Sequence, residues 1–383
     1  AKARDSANRA KALAESQVAK KPGDPTRRRD LAISEERLAE ALYWQGDLNA
    51  ARAAARAGQT ALVQLSASKP DDEKLLWEII LADERIGDDL RAQGDLKGST
   101  AEYREWLDLA QKLQRLHPIN PLWARAEGFA YQRMGDNLLI QGKAAAAADE
   151  FGAYQERMKE LAAADPQNAI YLEGLTFSEQ RLGDALLAQD DAAAAMTQYR
   201  AFEGNAAKLS KVDPSNFRWQ ELLEFGHQRI GDVLLREKDY SAAIGEFRIY
   251  LSMAEDIRTK DPANKSALYD VANAHEKIGD TLRARGQLSD ALVEYQNELS
   301  AAQRLATIDR SNETWQKNLA TSYQRIGLTL RMQGNAAAAI QAFGKCAAIP
   351  TKNTAWTPRS TWPADVNADC RHQLGARAGL MPQ

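Results

Sequence analysis

ERIGDDLRAQGD, residues 84–95, decides the fold, because the chain writes it repeatedly. QRMGDNLLIQGK (132–143), QRLGDALLAQDD (180–191), QRIGDVLLREKD (228–239), EKIGDTLRARGQ (276–287) and QRIGLTLRMQGN (324–335) are variants of one phrase. Its basic residue stands at Arg37, Arg85, Arg133, Arg181, Arg229, Lys277 and Arg325, a step of 48 residues each time with no insertion or deletion. A fixed period of this size is the signature of a repeat architecture.

Other columns share the step. A proline recurs at Pro22, Pro70, Pro118, Pro166, Pro214 and Pro262, with Arg310 in the seventh place. Two residues later come Asp24, Asp72, Asn120, Asn168, Asn216, Asn264 and Asn312. Pro-x-Asn/Asp is a helix-start signal: proline ends the preceding helix, and the short polar side chain caps the next by accepting from an orphan amide. About twenty residues follow without a breaker. Then comes a turn position, Gly46, Gly94, Gly142, Gly286 and Gly334, with Asp190 and Lys238 in the other two units. A second run of similar length leads to the next proline. Each unit is therefore predicted to be a helical hairpin, helix A then helix B. Within helix A a glycine recurs (Gly87, Gly135, Gly183, Gly231, Gly279, Gly327; Ala39 first). Within helix B a small residue recurs (Ala51, Ser99, Ala147, Ala195, Ala243, Ala291, Ala339), followed by an aromatic (Tyr103, Phe151, Tyr199, Phe247, Tyr295, Phe343; Ala55 first). The small residues let two backbones approach, and the aromatic fills the space between them.

The pattern resembles the tetratricopeptide repeat (TPR), whose helix A carries Leu-Gly, followed twelve positions on by a small residue and four later by an aromatic. Ile86-Gly87, Ser99 and Tyr103 match, as do Ile230-Gly231, Ala243 and Phe247. The family unit is about 34 residues, so this one is longer by roughly four helical turns. The resemblance implies an all-α, right-handed α-solenoid of seven 48-residue helix-turn-helix repeats over residues 21–345. Ala3 and Ala7 fall one period before Ala51 and Ala55, so residues 1–20 are expected to form a half-repeat or linker helix. Residues 346–383 break the pattern and are expected to cap the array, since an open stack needs a covered end. Cys346 and Cys370 both lie there, either as two unrelated thiols or as one disulfide that staples the cap. A disulfide would place the chain in an extracytoplasmic or periplasmic compartment; free thiols suit a cytoplasmic one.

A formal net charge of −3 leaves no electrostatic footprint for nucleic acid, and no apolar run reaches the roughly 20 residues a bilayer span needs. No nucleotide loop, HExxH or GxSxG motif is present, so no enzyme activity and no cofactor are expected. His227 and His275 share a column one period apart and suggest a two-ligand metal site at most; zinc normally takes three or four ligands, and two polar residues on a half-exposed face are the simpler reading.

In the resembling family the A helices line the concave face, where ligands lie. Carried over by column, that face holds Phe129, Phe177 and Phe225; Gln132, Gln180 and Gln228; Asp136, Asp184 and Asp232; and Leu139, Leu187 and Leu235. Flanking repeats exchange the leucine for Arg91, Arg283 and Arg331, and the later ones exchange the phenylalanine for Asn273 and Thr321. The expected function is a non-enzymatic protein-interaction module, a scaffold that binds a peptide or protein partner with apolar and basic anchors; assembly with further copies is compatible with it. The alternative is a sensor or assembly segment of a larger bacterial signalling protein with an effector domain upstream of residue 1. Two architectural readings compete for the same residues. The phenylalanines can pack between neighbouring A helices, and each aspartate can pair with the arginine three residues before it, as Arg133 with Asp136.

Overall fold

The computed structural model describes residues 2–349 and 366–375, all of whose regular structure is helical. The Pro- and Trp-rich stretch 350–365 and residues 376–383, both part of the expected cap, lie outside the described residues. The chain divides into two compact units, residues 1–191 and 192–383. The first contains α1 (Lys2–Lys20), α2 (Pro25–Tyr43), α3 (Leu48–Ser66), α4 (Glu73–Ala92), α5 (Leu96–Leu116), α6 (Pro121–Ile140), α7 (Ala144–Ala164) and α8 (Ala169–Ala188). The second contains α9 (Ala192–Val212), α10 (Phe217–Arg236), α11 (Tyr240–Lys260), α12 (Lys265–Ala284), α13 (Leu288–Ile308), α14 (Glu313–Met332), α15 (Ala336–Ala347) and α16 (Val366–Gly375). Within each unit every helix packs on the next in chain order, the arrangement of an α-solenoid of hairpins. Even-numbered helices are the A helices and odd-numbered ones the B helices.

The start and stop signals work residue by residue. Asp72 accepts from the Leu75 amide at 3.0 Å, Asn120 from Leu122 at 3.1 Å, Asn264 from Ala267 at 3.0 Å and Asn312 from Trp315 at 3.1 Å. Asn216 alone in the column makes no side-chain cap bond. B helices end just ahead of the prolines, and Asp309 adopts the same extended backbone although Arg310 replaces the proline. The Asn312 cap therefore suffices to restart the chain. All seven turn positions are left-handed: the five glycines lie at φ 74–86°, Asp190 at 68° and Lys238 at 64°. This conformation closes a helix C-terminus, and glycine adopts it at least steric cost.

The glycine of helix A is set by the aromatic of helix B. A Cβ at Gly135 would lie 2.7 Å from the Phe151 ring, at Gly231 2.5 Å from Phe247, and at Gly279 2.7 Å from Tyr295. These rings are completely buried. Each contributes about 1.5–3 kcal/mol by leaving water, an advantage available only while the facing helix carries no side chain there.

The last described helix lies within the expected cap. α16 packs on α15 and α14, and its Gly375 stands 48 residues after Gly327 in the glycine column. It is helical and stands in the register of the A helices, and residue 346 lies inside α15. Cys346 and Cys370 are bonded. Residues 24 apart in this way meet one period earlier too, where Ser322 donates to Glu298 at 2.8 Å. The disulfide thus occupies the regular contact between one B helix and the next A helix. Val366, Cys370, Phe343 and Ala320 form the apolar cluster beneath it. At the other end α1 docks on α2 through Ala7, in the B-helix column foreseen for it.

Candidate functional site

The candidate residues lie on the A helices, at the heights the columns require. In the first unit Phe129, Gln132 and Leu139 sit on α6 and Phe177, Gln180 and Leu187 on α8; in the second, Phe225, Gln228 and Leu235 sit on α10. All nine are half-buried. Phe129 packs at a tilt on Tyr154, 6.2 Å between ring centres, with the Arg125 guanidinium 5.3 Å from its ring. Phe225 meets Phe202 of α9 at 6.0 Å and carries Arg229 at 4.5 Å from its ring. Phe129 and Phe225 therefore combine both roles: part of each ring packs on an aromatic of a neighbouring helix, and an arginine lies over it. The B-helix aromatics show no such division and are entirely inside.

The aspartate column pairs mainly across repeats, and the expected three-residue pairing occurs beside it at Arg229–Asp232, 4.0 Å apart. Asp88 accepts from Arg133 of the next A helix at 3.2 Å and from the Tyr103 hydroxyl at 2.6 Å. Asp136, only 2% exposed, lies 3.7 Å from Arg181 and 3.5 Å from Arg91. Asp232 accepts from Lys277 at 2.7 Å, while Asp280 accepts from the Tyr295 hydroxyl at 2.7 Å and lies 3.7 Å from Arg325. Asp184 is half-buried on α8. The pairing runs to the basic residue of the following repeat, so Arg133 reaches Asp88 and not the Asp136 beside it. The reason is geometric: neighbouring A helices lie side by side, and the arginine extends across to the previous helix. It takes the preceding Glu as well, as in Arg85–Glu36 at 3.2 Å and Arg325–Glu276. The four carboxylates with these partners are consumed by repeat-to-repeat stitching, which removes them as a ready magnet for a basic ligand.

The histidines are likewise occupied. His227 Nδ1 lies 2.8 Å from Glu246 and His275 Nδ1 2.7 Å from Glu294, each pair joining the two helices of one hairpin. Among the described residues no cluster of three or more His, Cys, Asp or Glu is arranged to hold a metal ion. No described helix is long and apolar enough to cross a membrane.

What the sequence reading missed is a set of buried acids. In the first unit, burial pushes Asp83 up to about 8 and Glu36 to about 7, against the pull of Gln59 and Arg85 respectively. In the second, burial pushes Glu224 up to about 9, and Asp270 and Glu221 add like charge to the same effect. The available signal was a broken column: the places equivalent to Glu224 hold Ala32, Ile80, Gly128, Thr176, Ala272 and Ala320.

Neither a protein-family model nor a curated protein sequence matches the chain. Solved structures do. BtubC (BKLC) from P. vanneervenii aligns at a TM-score of 0.50 and 14% identity, over 75% of this chain and 94% of that one. The fold is that of a TPR-like solenoid. A tetratricopeptide repeat protein from Parabacteroides merdae ATCC 43184 aligns at 0.42 and 13% identity, over 91% of this chain and 99% of that one. A STAND signal-transduction ATPase with a tetratricopeptide repeat sensor, from Pyrococcus horikoshii, aligns at 0.46 and 10% identity, over 92% of this chain and 52% of that one. At such identities the likeness concerns the fold alone.

Proposed function

We propose that this TPR-like chain is a non-enzymatic protein-interaction module that takes a peptide or protein partner on the A-helix faces of its units. The observation that carries this reading is the division of labour between the helices. Packing buries the B-helix aromatics completely but leaves Phe129, Phe177 and Phe225, with Leu139, Leu187 and Leu235, half-exposed. Half-exposed apolar residues on a rigid support are a low-entropy platform for apolar anchors. Gln132, Gln180 and Gln228 stand on the same faces and supply donors and acceptors for a partner's backbone. Asp184 of the first unit and Asp232 of the second stand half-buried beside these residues while Asp136 is buried, and the stitching of Asp136 and Asp232 makes basic anchors on the partner secondary to apolar ones. The Cys346–Cys370 bond favours an extracytoplasmic setting.

The test is selection from a random peptide library on the oxidised full-length chain, run beside a Leu139→Glu/Leu187→Glu variant whose helicity is first matched by circular dichroism. Both leucines are half-exposed, so the variant is expected to fold. Peptides with spaced apolar anchors that bind the parent and lose at least tenfold in affinity on the variant support the reading. Failure to enrich any peptide, or equal binding to both proteins, removes the A-helix face as the site.

A further inference from the structure

The junction of α10, α11 and α12 departs from the rest of the array in one place. In the first unit, Gly128 of α6 and Gly174 of α8 both abut Met158 of α7, which fills the space between them. One Cβ at either glycine would come within 2.7 Å of that side chain. The residues 96 positions later exchange sizes: Glu224 and Asp270 replace the glycines, and Ala254 replaces the methionine. Volume is conserved in kind, but a thioether has been traded for two carboxyl groups. Glu224 is 2% exposed, and neither of its carboxyl oxygens has a hydrogen-bond partner. A buried polar group left unpaired is destabilising, and a buried unpaired charge far more so.

The surroundings supply no counter-charge. On α10 itself Glu221, three residues before it, adds like charge, and His227, three residues after it, is engaged by Glu246 of α11 at 2.8 Å. From α11 comes Tyr250, whose hydroxyl donates to Asp270 at 3.3 Å. From α12 come Asp270 and Tyr269. The charged groups of α9 that reach α10 are engaged elsewhere: Arg200 with Glu203 and Glu246, Lys208 with Asn205, and Glu203 near His227. Asp270 is half-buried, so water can reach the junction from its side.

We propose that this junction is a proton-gated joint, packed while Glu224 is a neutral carboxylic acid and loosened when Glu224 ionises. The direction follows from linkage. Packing holds Glu224 protonated up to about pH 9 and Asp270 up to about pH 6, both raised chiefly by burial. An opened joint returns them to ordinary carboxylate values near 4. Between those limits opening releases protons, so it becomes easier as pH rises, by at most about tenfold per pH unit for each proton released. The joint is tight in mildly acidic solution and loose in alkaline solution, opposite to a carboxylate held by a salt bridge.

Amide hydrogen exchange on the full chain at pH 5.5 and pH 8.5, corrected for intrinsic rates, tests it. Protection of α10–α12 is expected to fall at least tenfold across that range in the parent. In Glu224→Gln, which keeps shape and removes the titration, protection at pH 8.5 is expected to exceed the parent's and the pH dependence to shrink. An unchanged slope in the variant overturns the proposal. So does lower protection than the parent at both pH values, which would mean that Glu224 is ionised and served by a partner. Should the variant not fold, the assigned Glu224 carboxyl carbon in the parent decides: a titration midpoint above pH 7 supports the joint, and one below pH 5 refutes it.

Discussion

The same chemical change, glycine to alanine, is expected to have opposite effects at two positions in one hairpin. Gly152 lies within α7, and a Cβ there would meet nothing within 4 Å. Alanine is favoured over glycine in a helix interior by about 1 kcal/mol, so Gly152→Ala should stabilise by nearly that amount. Gly135 lies within α6, where the new Cβ would sit 2.7 Å from Cε1 and 2.9 Å from Cδ1 and Cζ of Phe151. The ring is wholly buried and has no free space to yield into. Overpacking of this kind costs about 1–3 kcal/mol, which offsets and then exceeds the propensity gain. The net expectation for Gly135→Ala is a loss of up to about 2 kcal/mol. Stacked hairpins open by parts, so amide-exchange protection of α6 and α7 is the appropriate readout. The two variants should move it in opposite directions, with a separation of roughly tenfold or more. Phe151→Leu in the Gly135→Ala background should recover part of the loss, so that the pair is less damaging than the sum of its members. If Gly135→Ala raises protection as Gly152→Ala does, the close approach of α6 and Phe151 is not what fixes the glycine column.

Removing the disulfide should act locally. Cys346→Ser/Cys370→Ser lifts a constraint on a 24-residue loop, worth about 3 kcal/mol, and should abolish exchange protection in α16 while α10–α13 keep theirs. Loss of protection throughout residues 192–349 would instead make the bond a requirement for the whole unit. The stitching is expected to be weak pair by pair. Asp232→Asn removes an ion pair whose partners are both partly solvated, and should cost no more than about 1 kcal/mol, less in high salt. A salt-independent loss of several kcal/mol, measured by denaturant unfolding, would contradict that.

Most of the architecture was legible because the features that specify it are local and repeat. Pro-x-Asn, the left-handed turn residue and the Gly/small/aromatic triplet each report a backbone requirement that one residue type meets best. Agreement of these signals at one period left few alternatives. Even Lys238, a poor left-handed residue, could be placed by register alone. The register of α16 was legible in principle, through Leu374-Gly375, but a composition shift towards proline and tryptophan obscured the column. The cross-repeat roles of the aspartates were not legible. A helix written as a line of sequence shows the arginine three residues away, and hides the one that arrives 45 residues later from the next repeat. Arg133 with Asp88 and Lys277 with Asp232 are contacts of that kind.

This bears on where function is to be sought in such a chain. In ERIGD each side chain with a resolved partner serves the stack: Glu84 and Asp88 face Arg133, Arg85 takes Glu36, and Gly87 admits Tyr103. A residue required in every repeat for stacking carries little information about a partner, since its absence would be felt as instability first. The informative positions are those where the columns are free to vary or are broken against their own packing logic. Phe129, Phe177 and Phe225 give way to Asn273 and Thr321 without loss of the hairpin, so their identity is open to selection by a ligand. Glu224 is the stronger case. An apolar residue would fit its column better, as Ile80 and Ala272 do, and a carboxyl group is retained there with no partner to offset its burial. Filling the space beside Ala254 needs a side chain there but not a carboxyl group, whereas a joint that answers to protons depends on the carboxyl.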